Sequence, residues 1–173
     1  MRVYLSPVKA EDGKEIVKWR NSLNVKAHCF TKCTITMESN AKFFHDYIET
    51  GKYKQYLVNR VDDQYGVISY PIATVYLKDM DYENNRCELC VFTSDDQEWN
   101  TESQSIAIKM LIEKAFKEFH MHKIYSYVFA NNKDEVQLLK NSGMSEEALL
   151  KNEAKDIDGN YTDVYRMSII CEM

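Results

Sequence analysis

Apolar and polar positions along the chain change period several times, and each change marks an element. The opening RVYLSPV alternates up to Pro7, the pattern of a first strand. In KAEDGKEIVKWRNSLNVKAH the apolar residues Ile16, Val17, Trp19, Leu23 and Val25 return at mixed helical spacing. Asn21-Ser22 interrupts them, so a short helix followed by a second helical turn is expected. Thr36 stands before Met37 as a helix start, Phe43, Phe44, Tyr47 and Ile48 share one helical face, and Gly51 suits the stop.

From Tyr53 the period shortens to that of strands: YKQYLVNRV, a DDQYG turn, then VISYPIATVYLKDMD interrupted at Pro71, a DYENN turn, and RCELCVFTS. Adjacent runs with short polar connectors predict an antiparallel meander. The longest helix follows, with Ile106, Ala107, Met110, Leu111, Ala115, Phe116 and Phe119 as its apolar stripe and Lys109, Glu113, Lys117 and Glu118 opposite. KIYSYVF is apolar on both faces, as a central strand is. NNKDEVQLLKNSG predicts a short helix closed by Gly143, and a DIDGNY turn leads into the last strand, YTDVYRMSII. No repeat, linker or low-complexity segment divides the chain, so residues 1–173 are expected to form a single domain.

Composition narrows the class. A chain of 173 residues buries about 70% of its unfolded surface on folding. With 45% hydrophobic and 28% charged residues it is neither disordered nor fibrous. The formal charge of −5 is spread over both halves, which argues against a nucleic-acid partner. No apolar run approaches a membrane span, and no leader-like start is present. Five cysteines, an odd number, suit reduced thiols in the cytoplasm. Cys87 and Cys90 form a CxxC, but on an alternating strand they point to opposite faces, so no metal site is expected.

The whole order of elements resembles the GNAT (Gcn5-related N-acetyltransferase) superfamily, most sharply from Ala73 to Met167. ATVYLKDMDYENNRCELCVF resembles its third and fourth strands, WNTESQSIAIKMLIEKAF its pyrophosphate loop and helix, and HKIYSYVFANNKDEVQLLKNSGM the strand and helix beside the thioester arm. WRN at Trp19 to Asn21 and GNYTDVYRMSI near the end look most like the RimJ/RimL branch, which includes amino-sugar, polyamine and protein N-terminal acetyltransferases.

This resemblance implies an α+β fold, a mixed and mostly antiparallel central sheet flanked by helices, with splayed fourth and fifth strands and acetyl-CoA in the gap. Cys90, Val91, Phe92 and Thr93 would then pair with the pantetheine arm as an added strand does. Asn100, Thr101, Glu102, Ser103, Gln104 and Ser105 would meet the diphosphate at a helix N-terminus. Asn132 matches an asparagine that bonds the arm, or else it caps its own helix.

The loop departs from the family pattern. Glu102 and Gln104 stand where small residues belong, with Asp95, Asp96 and Glu98 close by, so an inward Lys109 or Lys140 would be needed to balance the charge. Thr101 and Gln104 have the spacing of a capping box, sufficient to start the helix without any ligand.

Acyl transfer to an amine requires a base, a polarised thioester carbonyl and a proton for the departing thiolate. Glu88 is the candidate base, on the face it shares with Cys90 and Phe92. Where many relatives carry a tyrosine as the acid, this chain has Leu139. Trp19, Arg20 and Asn21 fall where the acceptor would bind; the alternative is a core tryptophan beside a solvated arginine.

The expected function is transfer of acetyl from acetyl-CoA to a primary amine of a small metabolite, such as a nucleotide-linked amino sugar. A polyamine, with which the acid at Asp79, Asp81, Glu83 and Glu88 is compatible, a protein N-terminus, and a CoA-free binding module are the alternatives. A monomer or homodimer without metal is expected.

Overall fold

The computed structural model describes residues 2–62, 68–92 and 94–172, so most of the expected DDQYG turn and Thr93 lie outside the described residues, as does the Phe92 side chain. Seven strands form one sheet ordered β1-β2-β3-β4-β5-β7-β6: β1 Val3–Pro7, β2 Lys54–Asp62, β3 Ile68–Asp81, β4 Arg86–Phe92, β5 Lys123–Phe129, β6 Ser145–Lys155 and β7 Tyr161–Ile170. All neighbours run antiparallel except β4 and β5, which are parallel because the helix α4 (Thr101–Lys117) carries the chain back to the starting edge between them.

Strand alternation sorts side chains onto two covered faces. Val58, Val75, Cys87, Leu89 and Ile124 pack against Ala107, Ile108, Leu111 and Ala115 of α4. On the opposite face Leu57 packs with Val8 and with Ile16 and Trp19 of α1 (Gly13–Asn21). The buried stripe of α4 includes Ile108 and Ile112, while Ile106, Phe116 and Phe119 are only half-buried, so the helix is rotated from the expected stripe toward the sheet.

The break between the first helices falls where expected: Ser22 ends α1 and its hydroxyl caps α2 (Leu23–His28) at the Val25 amide. Thr36 caps α3 (Met37–Phe43), which runs on into a π-helical segment at Phe44–Glu49 and stops at Gly51, whose φ of 74° is left-handed. Pro71 does not interrupt its strand. Val58 pairs with Ala73 and Asn59 with Pro71, so Ile72 is the extra residue of a bulge, one of the few interior positions that tolerate a missing N–H. The helix α5 (Lys133–Asn141) ends before Gly143, with φ of 97°.

Candidate active site

The parallel ladder between β4 and β5 holds for Arg86–Lys123, Cys87–Ile124 and Glu88–Tyr125, and no further pair forms. Beyond Glu88 the strands diverge as expected, while Leu89 to Phe92 stay paired to β3 on their other side. The backbone of Leu89–Phe92 that faces β5 is therefore a strand edge inside the sheet. A cavity of about 360 Å³ occupies the opening, bounded by Glu88 and Cys90 of β4, Ser126 and Tyr127 of β5, and Glu135 of α5. The 29–35 segment and α1 cover it from the second face through Phe30, Thr31, Ile35 and Arg20.

Alternation along β4 sends Cys87 and Leu89 to the α4 core and Glu88 and Cys90 toward the cavity. Glu88 is only 5% exposed, yet it has partners: Lys78, directly opposite on β3, places Nζ 3.1 Å from Oε2, and the Cys90 thiol donates to Oε1 at 3.2 Å. Burial raises the Glu88 carboxyl above its ordinary value, and Lys78 and Cys90 pull it partly back. Cys87, on the dry face, is pushed up to about 12 by burial and is inert.

Of Trp19, Arg20 and Asn21, only Arg20 reaches the cavity lining. Trp19 packs into the α1 core cluster. Asn21 fastens the covering segment, donating from Nδ2 to the Ile35 carbonyl at 2.7 Å and accepting the Ile35 amide at 2.9 Å. The Arg20 guanidinium donates to the Thr31 carbonyl. Two of the three residues thus shape the cavity wall from behind.

The start of α4 corrects the expected capping box. Asn100, not Thr101, is the cap: its Oδ1 accepts the amides of Glu102 at 3.1 Å and Ser103 at 3.3 Å. Ser103 turns its hydroxyl back to the carbonyls of Glu98 and Asn100, and Gln104 donates to the Trp99 carbonyl at 3.1 Å. Asparagine wins because its carbonyl reaches both orphan amides from the residue before the helix. Thr101 and Glu102 are exposed and Ser105 half-buried. Glu98 is ion-paired with Arg60, which removes one of the anions crowding this turn, whereas Lys140 is held by Glu146 at 2.7 Å.

Asn132 caps α5 at the Glu135 amide and donates from Nδ2 to Glu135 Oε2 at 2.7 Å. Its side chain is thereby engaged with the helix it starts. Leu139, one turn beyond Glu135, is 1% exposed hydrocarbon. Sequence reasoning passed over Glu135 and Lys78. The Asn132-x-x-Glu135 spacing of a capping box was the available signal for the first; the second depends on strand register.

An aromatic run leads out of the cavity. The Tyr76 and Tyr53 rings stack at 6.0 Å and 11°, Tyr53 meets Phe43 edge-on at 5.4 Å, and Phe43 stacks on Tyr47 at 4.9 Å. Tyr53 and Tyr47 also line an outer hollow of about 460 Å³ with Asp79 and Asp81. Asp81 is held near 2 by Asn84 and Arg86 and is a permanent anion at neutral pH.

A seven-stranded sheet that opens between two parallel strands, with a carboxylate inside the opening, defines an acyl-CoA N-acyltransferase fold. The chain belongs to the GNAT acetyltransferases: the family profile described as "Acetyltransferase (GNAT) domain" matches residues 5–165. The fold is that of spermidine N-acetyltransferase from Vibrio cholerae in complex with CoA and spermine, with a TM-score of 0.85 at 22% identity over 97% of this chain and 95% of that one. A dodecameric structure of spermidine N-acetyltransferase from Vibrio cholerae in an intermediate state aligns with a TM-score of 0.78 at 22% identity, covering 97% of this chain and 93% of that one. No curated protein matches the chain. Among the described residues no cluster of His, Cys, Asp or Glu is arranged to hold a metal ion, and no helix is long and apolar enough to cross a membrane.

Proposed function

We propose that this protein transfers the acetyl group of acetyl-CoA to a primary amine of a polyamine, in place of the nucleotide-linked amino sugar favoured by the sequence. The observation that carries this reading is the aromatic run from Tyr76 through Tyr53 to Tyr47, which joins the Glu88 cavity to a hollow with two carboxylates, Asp79 and Asp81. Ammonium groups are recognised by ring faces and carboxylates. Lys52, whose Nζ lies 5.5 Å from the centre of the Tyr47 ring, already makes such a contact. A sugar diphosphate would instead need cations, and in the cavity Arg20 is turned to the Thr31 carbonyl and Lys78 to Glu88. The structural neighbours that act on spermidine or spermine fit the same acceptor class.

In this reading the donor's thioester arm lies along the inner edge of Leu89–Phe92, where strand amides are available to pair with it. The diphosphate end meets α4 chiefly through the helix dipole, since Asn100 already takes two of its amides. The amine enters as an ammonium beside Glu88, whose carboxylate accepts the proton and leaves a neutral nucleophile. Chemistry follows by direct attack, with no covalent enzyme intermediate. Reduced thiols at all five cysteines fit a cytoplasmic setting. Assembly beyond the expected monomer or homodimer is settled by sedimentation, given the dodecameric neighbour.

The test is thiol release from acetyl-CoA with spermidine, spermine, n-butylamine or a nucleotide-linked amino sugar as acceptor. Polyamines are expected to give a kcat/KM at least tenfold above the other two. Equal or better use of the amino sugar overturns the assignment.

A further inference from the structure

Acyl transfer leaves one proton unassigned. Glu88 receives a proton from the amine, but the thiolate released from the thioester needs one supplied. On α5, Leu139 is buried hydrocarbon and supplies none. One turn earlier on the same helix, four residues back, Glu135 faces the cavity together with Glu88, Cys90 and Ser126.

Three of the other donors that line the cavity are committed. Arg20 donates to the Thr31 carbonyl, Lys78 to Glu88, and the Cys90 thiol to Glu88. Glu135 is different. Asn132 Nδ2 binds only its Oε2, and among the described residues Oε1 has no hydrogen-bond partner. The helix dipole and the Asn132 contact favour the anion, but burial outweighs them and pushes the carboxyl up to about 7. Charged and titratable groups that share the cavity with it from the packed elements are Arg20 of α1, Cys29 of the covering segment, Glu88 and Cys90 of β4, and Tyr127 of β5. At neutral pH a large share of the Glu135 side chains carries a proton, as a general acid requires.

We propose that Glu135 is the general acid of the acetyl transfer, a catalytic residue that donates the proton on its carboxyl group to the departing thiolate sulfur. The incoming ammonium gives one proton to Glu88, which passes it to solvent; the neutral amine nitrogen then bonds to the thioester carbonyl carbon, and the regenerated Glu88 carboxylate takes its second proton. The carbon–sulfur bond then breaks with its electron pair on sulfur, and Glu135 protonates that sulfur. The products are the amide and the free thiol, with Glu88 protonated and Glu135 ionised; exchange of one proton through solvent resets both. This inference rests on the acetyl-transfer reading and deepens it.

The experiment compares wild type, Glu135→Gln and Glu135→Asp over pH 6–9, with acetyl-CoA and, separately, with 4-nitrothiophenyl acetate, whose thiolate leaves without protonation. For acetyl-CoA, wild-type kcat should fall above pH ~7 as the acid ionises, while Glu135→Gln should lose roughly 10²-fold at pH 7 and show no such alkaline limb. Glu135→Asp should restore part of the rate together with the limb. With the aryl thioester the two enzymes should react alike, a result that a structural role for Glu135 does not give. An unchanged alkaline limb in Glu135→Gln, or an equal loss with both donors, overturns the proposal. If spermidine is ignored while n-butylamine is acetylated with the expected Glu135→Gln profile, the polyamine reading fails and this one stands. If spermidine is acetylated with a wild-type profile in Glu135→Gln, the reverse holds.

Discussion

Lys78 and Glu88 face each other directly across the β3–β4 ladder, with Nζ and Oε2 3.1 Å apart at the mouth of the cavity. Burial raises the Glu88 carboxyl and the lysine opposes that rise, so the pair sets the pH above which Glu88 is an anion. A base works in its ionised form, so the rate falls as pH drops through its pKa. Glu88→Gln is expected to lower kcat by roughly 10²–10⁴-fold at constant acetyl-CoA affinity. Lys78→Met removes the opposing charge, and its acid limb should move to higher pH in a kcat–pH profile.

The cap of α4 is testable by a contrast of neighbours. Asn100 accepts two amides, whereas Thr101 is exposed and outside the cap. Asn100→Ala should cost about 1 kcal/mol, near 2–4 °C in melting temperature for a chain of this size, and Thr101→Ala almost nothing. Thermal unfolding of the two variants decides whether the helix begins as described.

Asn21 joins α1 to the covering segment through both Ile35 backbone groups. Asn21→Ala leaves those groups without partners at a cost of about 1–3 kcal/mol. The segment forms the acceptor side of the cavity, so the KM for the amine should rise several-fold while that for acetyl-CoA stays constant. Initial-rate kinetics with each substrate varied in turn separates the two.

The outer hollow gives a length-dependent prediction. Asp79 is exposed, and its charge contributes at most about 1 kcal/mol to a distant ammonium. Asp79→Asn should therefore raise the KM for spermine by about two- to fivefold and leave that for n-butylamine unchanged.

Glu135 also links pH to stability. Its carboxyl lies near 7 in the folded chain against an ordinary value of 4.5. The folded state holds the proton more tightly, so stability falls as pH rises from the lower value through the higher one. Glu135→Gln keeps the shape without the charge. It should raise the melting temperature at pH 8 by roughly 3–8 °C and leave it nearly unchanged at pH 5, as scanning calorimetry at the two pH values would record.

Local chemistry made much of the architecture readable in the residues. Alternation in RCELCVF put Glu88 and Cys90 on one face and Cys87 on the other. Ser22, Thr36, Gly51 and Gly143 marked helix ends through caps and left-handed turns that depend on neighbours only a few positions away. The divergence of the two parallel strands came from resemblance of the whole order and has the expected place. The register across strands could not be read in this way. It decides that Glu88 meets Lys78, that Ile72 bulges so Pro71 can stay inside a sheet, and that the ladder ends after Glu88.

Competition between adjacent capping side chains was equally illegible, since Asn100 and Thr101 both suit a helix start and only the approach of the preceding loop selects one. Sequence by itself determined which residues can be buried, turned or capped, because those preferences act over a few bonds. Tertiary structure alone decided which of them share the cavity, because burial and charge at Glu88 and Glu135 are produced by elements far apart in the chain closing over the same space.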